Sequence, residues 1–464
     1  MKPRPPRFIK GKLTEDSISS HLIKLSWPML LGRLNFIAFN IVDTFFIAQL
    51  GTKQLAAMSF TFPAVMIISS VAMGLGNASG LVIARIIGEG DRNKIQRIIT
   101  DNLLLSLVIG IILGLIALVT IDPFFSLLGA KPEIINLIRE YIPIIYISSI
   151  FSIVTLTANN AIRASGNTLL PSVLMIFSTL INFVLDPLFI FGWGIFPRLE
   201  MQGAALATLI AKAIAFILFL IILDREKNIA FNIPKFKELL KSWKNSLYLA
   251  IPIIATNAIK PLSTAIIIGT IAVYGSSAIA GFGIISRVEG IVLIVFSAVS
   301  TSVGLIVGQN FGAGKLFRVN KTFSLGSQFC LLWGIFMAII LALFSGNIAA
   351  VFNNNSEVVS VAIAYFKIVP ISYPALGILI ISSAIFNGTA KPLPPVIMTL
   401  TKTFAIYLPL AAIGSKILGI QGVFLAICLS NLLIGILSFT WNKISLNLVA
   451  EKKSISRKFA DRVN

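Results

Sequence analysis

Apolar residues run along this chain in stretches of twenty or more, separated by short polar segments, without the period-two alternation of half-buried strands. Each stretch is long enough to cross a hydrocarbon core of ~30 Å as a helix. A membrane barrel would instead show alternating strands of ~10 residues. The pattern predicts twelve spans, near 22–50, 54–83, 98–121, 141–164, 168–191, 201–223, 246–273, 278–307, 322–345, 361–387, 393–416 and 419–442. The expected fold class is therefore an all-α membrane protein with twelve transmembrane helices.

The pattern also repeats. A shift of 224 residues carries Pro28 onto Pro252, Ala56 onto Ala280, Gly88 and Gly90 onto Gly312 and Gly314, Glu133 onto Glu357 and Tyr141 onto Tyr365. A shift of 223 carries Leu170-Pro171 onto Leu393-Pro394, and a shift of 219 carries Gln202-Gly203 onto Gln421-Gly422. Six spans per half is an even number, so both halves enter the membrane with the same orientation. This predicts a parallel repeat about an axis along the membrane normal. The expected organisation is an N-terminal tail (1–21), a first six-helix lobe (22–223), a linker (224–245), a second lobe (246–442) and a C-terminal tail (443–464). Within the linker, the KFKELLKSW stretch suggests a short helix lying on the inner face. Two such lobes around a site open alternately to either side are the architecture of a secondary transporter.

Composition changes the picture mainly through charge. The chain has 464 residues, 56% hydrophobic and 12% charged, about half the charge of an ordinary soluble protein. The net charge of +20 would suggest nucleic acid were the bases not so unevenly placed. With the N-terminus inside, 27 of the 38 Lys and Arg fall on cytoplasmic segments, five on the opposite side and six within spans. That is the positive-inside pattern. It places both termini in the cytoplasm of a bacterial inner membrane, suits contact with anionic lipid and argues against a nucleic-acid partner. The first apolar run is too long for a cleavable signal. Cys330 and Cys428 lie in apolar segments, so neither a disulfide framework nor a metal cluster is expected, and the lone His21 sits at a helix edge.

No nucleotide-hydrolysis or hydrolase motif is present, so the chain is not expected to be an enzyme or to need a cofactor. Ionisable groups within spans then carry the chemistry, because each is costly in lipid. Asp43 lies eight residues before Gly51, about 12 Å below the outer end of its helix, and Asp186 lies six before Gly192, about 9 Å down. Asn182 is one turn from Asp186 on the same face, and Thr208 is about 12 Å down the sixth span. Four polar side chains from three helices thus share one depth and can bind H+ or Na+. Helix capping or pairing with an Arg is the alternative for each acid. Under the repeat these positions fall on Ile267, Ala405, Pro409 and Ile427, which confines the ion chemistry to the first lobe.

The bases in spans are Arg33, Lys212, Lys260, Arg287, Lys367 and Lys402. Arg33, Lys260 and Lys402 sit near mid-depth. Together with Asn40 and Glu289 they are candidates for a substrate cavity that attracts negative charge; neutralisation by nearby acids or water is the competing reading. Arg287 and Glu289 can satisfy each other or separate partners. The glycine-rich RIIGEGDRNK and GQNFGAGK segments read as tight turns rather than phosphate cradles, since neither has P-loop spacing.

Those two segments, with SRVEG (286–290), RASGNTLLP (163–171), NFVLDP (182–187), LSWPMLL and the VDTFF around Asp43, resemble the multidrug and toxic compound extrusion (MATE) transporters over nearly the whole span from 22 to 442. The resemblance implies two six-helix lobes in a V and antiport of a small organic solute against H+ or Na+. It is stronger to the archaeal and DinF-like branch, whose first-lobe cation site maps onto Asp43, Asn182, Asp186 and Thr208. The norfloxacin-exporter-like branch carries a Glu eight residues after a Pro-Ile pair; here that pair is Pro252-Ile253 and the position holds Lys260. That branch also has an acid in the tenth span, which is absent here. The expected protein is a monomer embedded in lipid. A lipid or lipid-linked oligosaccharide flippase of the wider superfamily, or a channel, are the alternatives.

Overall fold

The structure, a computed structural model, describes residues 12–226, 228–230 and 236–463; the basic start 1–11 and linker positions 227 and 231–235 lie outside these. Among the described residues the chain is helical with twelve helices long and apolar enough to cross a membrane. The first half comprises α1 (Ile18–Ala48), α2 (Thr52–Glu89), α3 (Arg92–Val119), the short α4 (Ile121–Leu127), α5 (Pro132–Ala164), α6 (Leu169–Phe191) and α7 (Glu200–Arg225). The second comprises α8 (Phe236–Ala272), α9 (Ser276–Gly312), α10 (Leu316–Leu343), the short α11 (Ser345–Phe352), α12 (Ser356–Ile368), α13 (Tyr373–Gly388), α14 (Leu393–Leu400), α15 (Leu408–Leu418) and α16 (Ile420–Val463). A 3-10 turn at Val369–Ser372 joins α12 to α13, and a π-helical stretch at Thr401–Tyr407 joins α14 to α15.

The repeat is written into the helix boundaries. The first residues of α2 and α9 (52 and 276), α3 and α10 (92 and 316), α4 and α11 (121 and 345), α5 and α12 (132 and 356), and α6 and α14 (169 and 393) all differ by 224. Individual contacts repeat as well. Lys53 Nζ donates to Glu133 at 2.8 Å, and Ser277 Oγ donates to Glu357 at 2.7 Å, so the same helix-end clasp is made by each half with different chemistry. The short α4 and α11 went unseen in the sequence because their apolar residues run on from the preceding spans.

The two glycine-rich segments are turns. Gly90 (φ 83°) and Gly314 (φ 71°) occupy the left-handed region that ends a helix without a Cβ penalty. Gly90 N–H bonds back to Ile86 and Ile87, and Asp91 caps α3 through Lys94 N–H at 3.2 Å, so these donors serve the helix ends.

Three helices differ from the expected extents. From Phe236 onward the KFKELLKSW stretch is the start of α8, an amphipathic run that merges into the apolar span and continues through Pro252 and Pro261 to Ala272; Lys235 lies outside the described residues. The tenth span is divided at VPISYP, where Pro370 and Pro374 remove backbone donors. The last helix runs to Val463, so the segment 443–463 read as a tail is helical.

By internal contacts the chain divides into two compact units, one of residues 1–15 and 24–254, the other of 16–23 and 255–464. The first five or so turns of α8, up to Ile254, thus pack with the first unit. They are held to α3 by Ser246 Oγ donating to Asn102 Oδ1 at 2.6 Å and Trp243 Nε1 donating to the Asp101 carbonyl at 2.9 Å.

The last repeat landmark has a packing cause. A Cβ on Gly203 would strike the Phe189 carbonyl and lie 2.8 Å from Ile190 N, and a Cβ on Gly422 would strike the Gly414 carbonyl. The last two spans of each half therefore touch backbone to backbone. Gly203→Ala should lower the melting temperature of the detergent-solubilised protein, because overpacking costs about 1–3 kcal/mol. Gly283→Ala, where nothing lies within 4 Å of the added carbon, should leave it unchanged or raised. Equal behaviour of the two variants would contradict this packing.

Candidate functional site

The shared depth of four side chains in the first half becomes proximity in three dimensions. Asp43 comes from α1, Asn182 and Asp186 from one face of α6, and Thr208 from α7; all four are buried, at 7%, 0%, 0% and 2% exposure. Asn182 Nδ2 donates to Asp186 Oδ1 at 3.1 Å across one helical turn and reaches Thr208 Oγ1 at 3.5 Å. Thr208 Oγ1 in turn lies 3.5 Å from Asp43 Oδ2 as its donor. Pro187 follows Asp186 inside α6 and supplies no N–H, so the Phe183 carbonyl receives no bond from it and the helix is locally relaxed beside the acid.

Asp43 Oδ1, Asn182 Oδ1 and Asp186 Oδ2 receive no hydrogen bond from a fixed protein donor, and the Asp43 and Asp186 carboxyls lie within hydrogen-bonding reach of each other, so one proton shared between them would join the pair. An unmatched buried acceptor costs about 1–3 kcal/mol, more when charged. Three acceptors on three neighbouring side chains, two of them carboxylates, form a pocket of negative potential whose natural complement is a small hard cation or a proton. None of the six ion pairs among the described residues involves Asp43 or Asp186.

The structure adds two residues that sequence reasoning left out of this cluster. Tyr141 of α5 is buried within electrostatic range of both Asp43 and Asp186. Lys212 of α7 is the cation within range of Asp43, and its Nζ donates to Ser148 Oγ of α5 at 3.3 Å. A signal existed for Lys212, which is one turn beyond Thr208 and so on the same face. The face of α5 could not be read, because that helix is apolar nearly all round.

Other candidates fall elsewhere. Asn40 is exposed and donates to Phe36 O of its own helix at 2.8 Å. Arg33 is half-buried next to Arg163, whose Nη2 lies 3.3 Å from where a Cβ on Gly32 would be. In the second unit Lys260, Glu289 and Lys402 form one electrostatic group: Lys402 is within range of both Glu289 and Lys260. Glu289 Oε1 accepts from Tyr365 Oη at 3.0 Å, and no ion pair joins Glu289 to Arg287 among the described residues. Lys402 stands on the π-helical stretch, a local widening that is frequent at functional positions. Ser263 Oγ and Thr403 Oγ1 at 2.8 Å, and Thr270 Oγ1 and Tyr407 Oη at 2.7 Å, tie that stretch to α8.

Comparison with known proteins gives the same two-part division. The family model MatE matches residues 28–188 and again 252–413, two copies whose starts are 224 residues apart. An FAD transporter of Shewanella oneidensis is 36% identical over 428 residues, covering 91% of this chain and 94% of that protein. The multidrug export protein MepA of Staphylococcus haemolyticus is 25% identical over 411 residues, covering 88% and 90%. Among solved structures, the Vibrio cholerae MATE transporter VcmN in its bent form superposes with a TM-score of 0.88 at 27% identity, covering 93% of this chain and 97% of that one.

Proposed function

The chain belongs to the MatE family, whose members are membrane transporters, and we propose that it exports an anionic organic solute of the FAD type in exchange for a cation taken up at the Asp43–Asp186 cluster. The observation that carries the exchange is the convergence of two acids from different spanning helices, Asp43 and Asp186, with Asn182 and Thr208 in one buried cluster that no Lys or Arg closes with an ion pair among the described residues. The coupling ion is H+ or Na+, cargo rather than a resident cofactor.

Substrate charge is argued from the second unit. Lys402 is within electrostatic range of one acid, Glu289, and of a second base, Lys260, so two bases and one acid meet in this group. A solute with a diphosphate, such as FAD, complements it; an organic cation is repelled. The 36% identical FAD transporter supports the same class. The 25% identical multidrug exporter supports a broader one.

Inside-out membrane vesicles test the reading. Imposed pH or Na+ gradients should drive FAD accumulation above equilibrium, and collapsing the gradient should release it. Accumulation of ethidium under those gradients with none of FAD would favour a cation exporter, and FAD equilibrating without concentrating would remove the exchange.

The proposed orientation has both termini and the 224–245 linker in the cytoplasm of the inner membrane. Cys330 and Cys428 are free and buried, so both can be replaced to give a cysteine-free background. Single cysteines at Ser242 and Ser356 should then react from opposite sides of intact cells, Ser356→Cys from outside. Labelling of both from one side would overturn this topology.

A further inference from the structure

Lys212 is not needed to build the cluster, yet it stands beside it. It follows Thr208 by one turn of α7, and its ammonium is within electrostatic range of Asp43. Among the described residues its hydrogen-bond partner is Ser148 Oγ at 3.3 Å, and Ser148 Oγ is itself occupied with the Ile145 carbonyl at 2.8 Å. An ammonium has three N–H donors, so two of Lys212's are unspent. Asp43 Oδ1 receives no hydrogen bond from a fixed protein donor. No ion pair within 4.0 Å joins Lys212 to Asp43 in this structure, so the ammonium acts on the acid through its field and not through contact.

We propose that Lys212 selects the coupling ion: its ammonium, tethered beside Asp43, competes for the open oxygens of the cluster and keeps Na+ out. This rests on the cluster being the coupling site. A sodium ion needs a shell of several oxygens at once. The oxygens on offer are those of Asp43, Asn182, Asp186 and Thr208, and a cation placed among them would sit next to a fixed positive charge that cannot leave. A proton feels the same repulsion but needs a single oxygen and no shell, so it can settle on an oxygen the ammonium leaves open, where Na+ needs the whole set. When the site is empty, Lys212 can turn from Ser148 to Asp43, supplying the missing charge from within the protein. Ser148 is then the resting place of the ammonium while the site is filled.

Sodium binding to the full-length protein in detergent, followed by titration calorimetry, tests this without any transported solute, so its outcome stands apart from the question of exchange. The unmodified protein and Lys212→Arg should give weak or no saturable Na+ heat. Lys212→Gln should bind Na+ at least ~10-fold more tightly, since like charges near 4 Å repel strongly even at intermediate dielectric. Asp43→Asn placed in the Lys212→Gln background should abolish that heat, which locates the ion at the cluster. Equal Na+ affinity in the unmodified protein and Lys212→Gln would overturn the proposal, as would a gain that survives Asp43→Asn. Should Lys212→Gln fold poorly, Ser148→Ala gives a second reading. Deprived of its resting place, the ammonium stays on Asp43, and gradient-driven transport should slow without any Na+ response appearing. Transport unchanged in Ser148→Ala, or a new Na+ response there, would equally count against Lys212.

Discussion

Asp43→Asn and Asp186→Asn should each abolish accumulation of solute against its gradient while leaving the amount of protein in the membrane unchanged. Either substitution keeps the size of the side chain and removes one of the two ionisable acids in the cluster. It also places an amide N–H2 where the other oxygens are short of a positive partner, so the variant partly fills the site with its own donors. Hydrogen bonds to charged groups contribute about 1.5–3 kcal/mol, so cation affinity should fall about 10–100-fold, at ~1.4 kcal/mol per factor of ten. Thr208→Ala removes only a neutral hydroxyl with long contacts of 3.5 Å and should cost less than ~10-fold. The measurement is solute uptake into inside-out vesicles under an imposed gradient, normalised to protein abundance. Full accumulation by both acid variants, or Thr208→Ala more damaging than either, would move the coupling site away from this cluster.

The second large effect concerns which solutes are carried. Lys402→Gln should shift preference from anionic toward cationic solutes by about 10-fold, and Lys260→Gln should shift it in the same direction. Two charges at ~4 Å interact by about 4 kcal/mol at an effective dielectric near 20. Intervening water cuts that sharply, which leaves roughly one power of ten. Lys260 is exposed and Lys402 half-buried, so the Lys402 substitution should act more strongly. Glu289→Gln should act oppositely, since it removes the acid that faces Lys402. Competition between FAD and ethidium, measured as the ratio of their initial rates, reports the shift. A ratio that stays constant across all three variants would separate this group from substrate recognition. A ratio that moves with Glu289→Gln alone would assign selectivity to the acid.

Several structural features were legible as one-dimensional signals. Twelve spans follow from apolar runs long enough for a bilayer, and five pairs of helix starts obey the 224-residue spacing already visible in Pro28, Gly90, Glu133 and Tyr141. The depth of Asp43, Asn182, Asp186 and Thr208 could be counted from helix ends because rise per residue is fixed. Lys212 and Tyr141 were harder. In a soluble helix an apolar stripe tells which face is inside, but a helix in lipid is apolar on the outside too, so α5 gives no azimuth, and on α7 only the four-residue spacing of Thr208 and Lys212 does. The π turn in the eleventh span has one cue in the sequence, Pro409, which removes the N–H that would bond the Ala405 carbonyl, whereas the bonds that tie the stretch to Ser263 and Thr270 of α8 are visible only in the structure.

What the sequence determined by itself is therefore the number of membrane crossings, the parallel repeat and the level at which each polar residue lies, because a bilayer converts hydrophobicity and helical rise directly into position along its normal. The family resemblance was also carried there, in motifs spread over both halves. The tertiary structure alone decided which residues at a given depth face one another. It turned Asp43, Asp186 and Thr208 inward to one point and set Lys212 against Ser148. It left Asn40 on an exposed face and brought Lys260, Glu289 and Lys402 into one group. The physical reason is that rotation about a helix axis in lipid carries little hydrophobic cost in either direction. It is fixed instead by close packing, such as that of Gly203 against the Phe189 backbone, which is a property of helix pairs and not of any one segment.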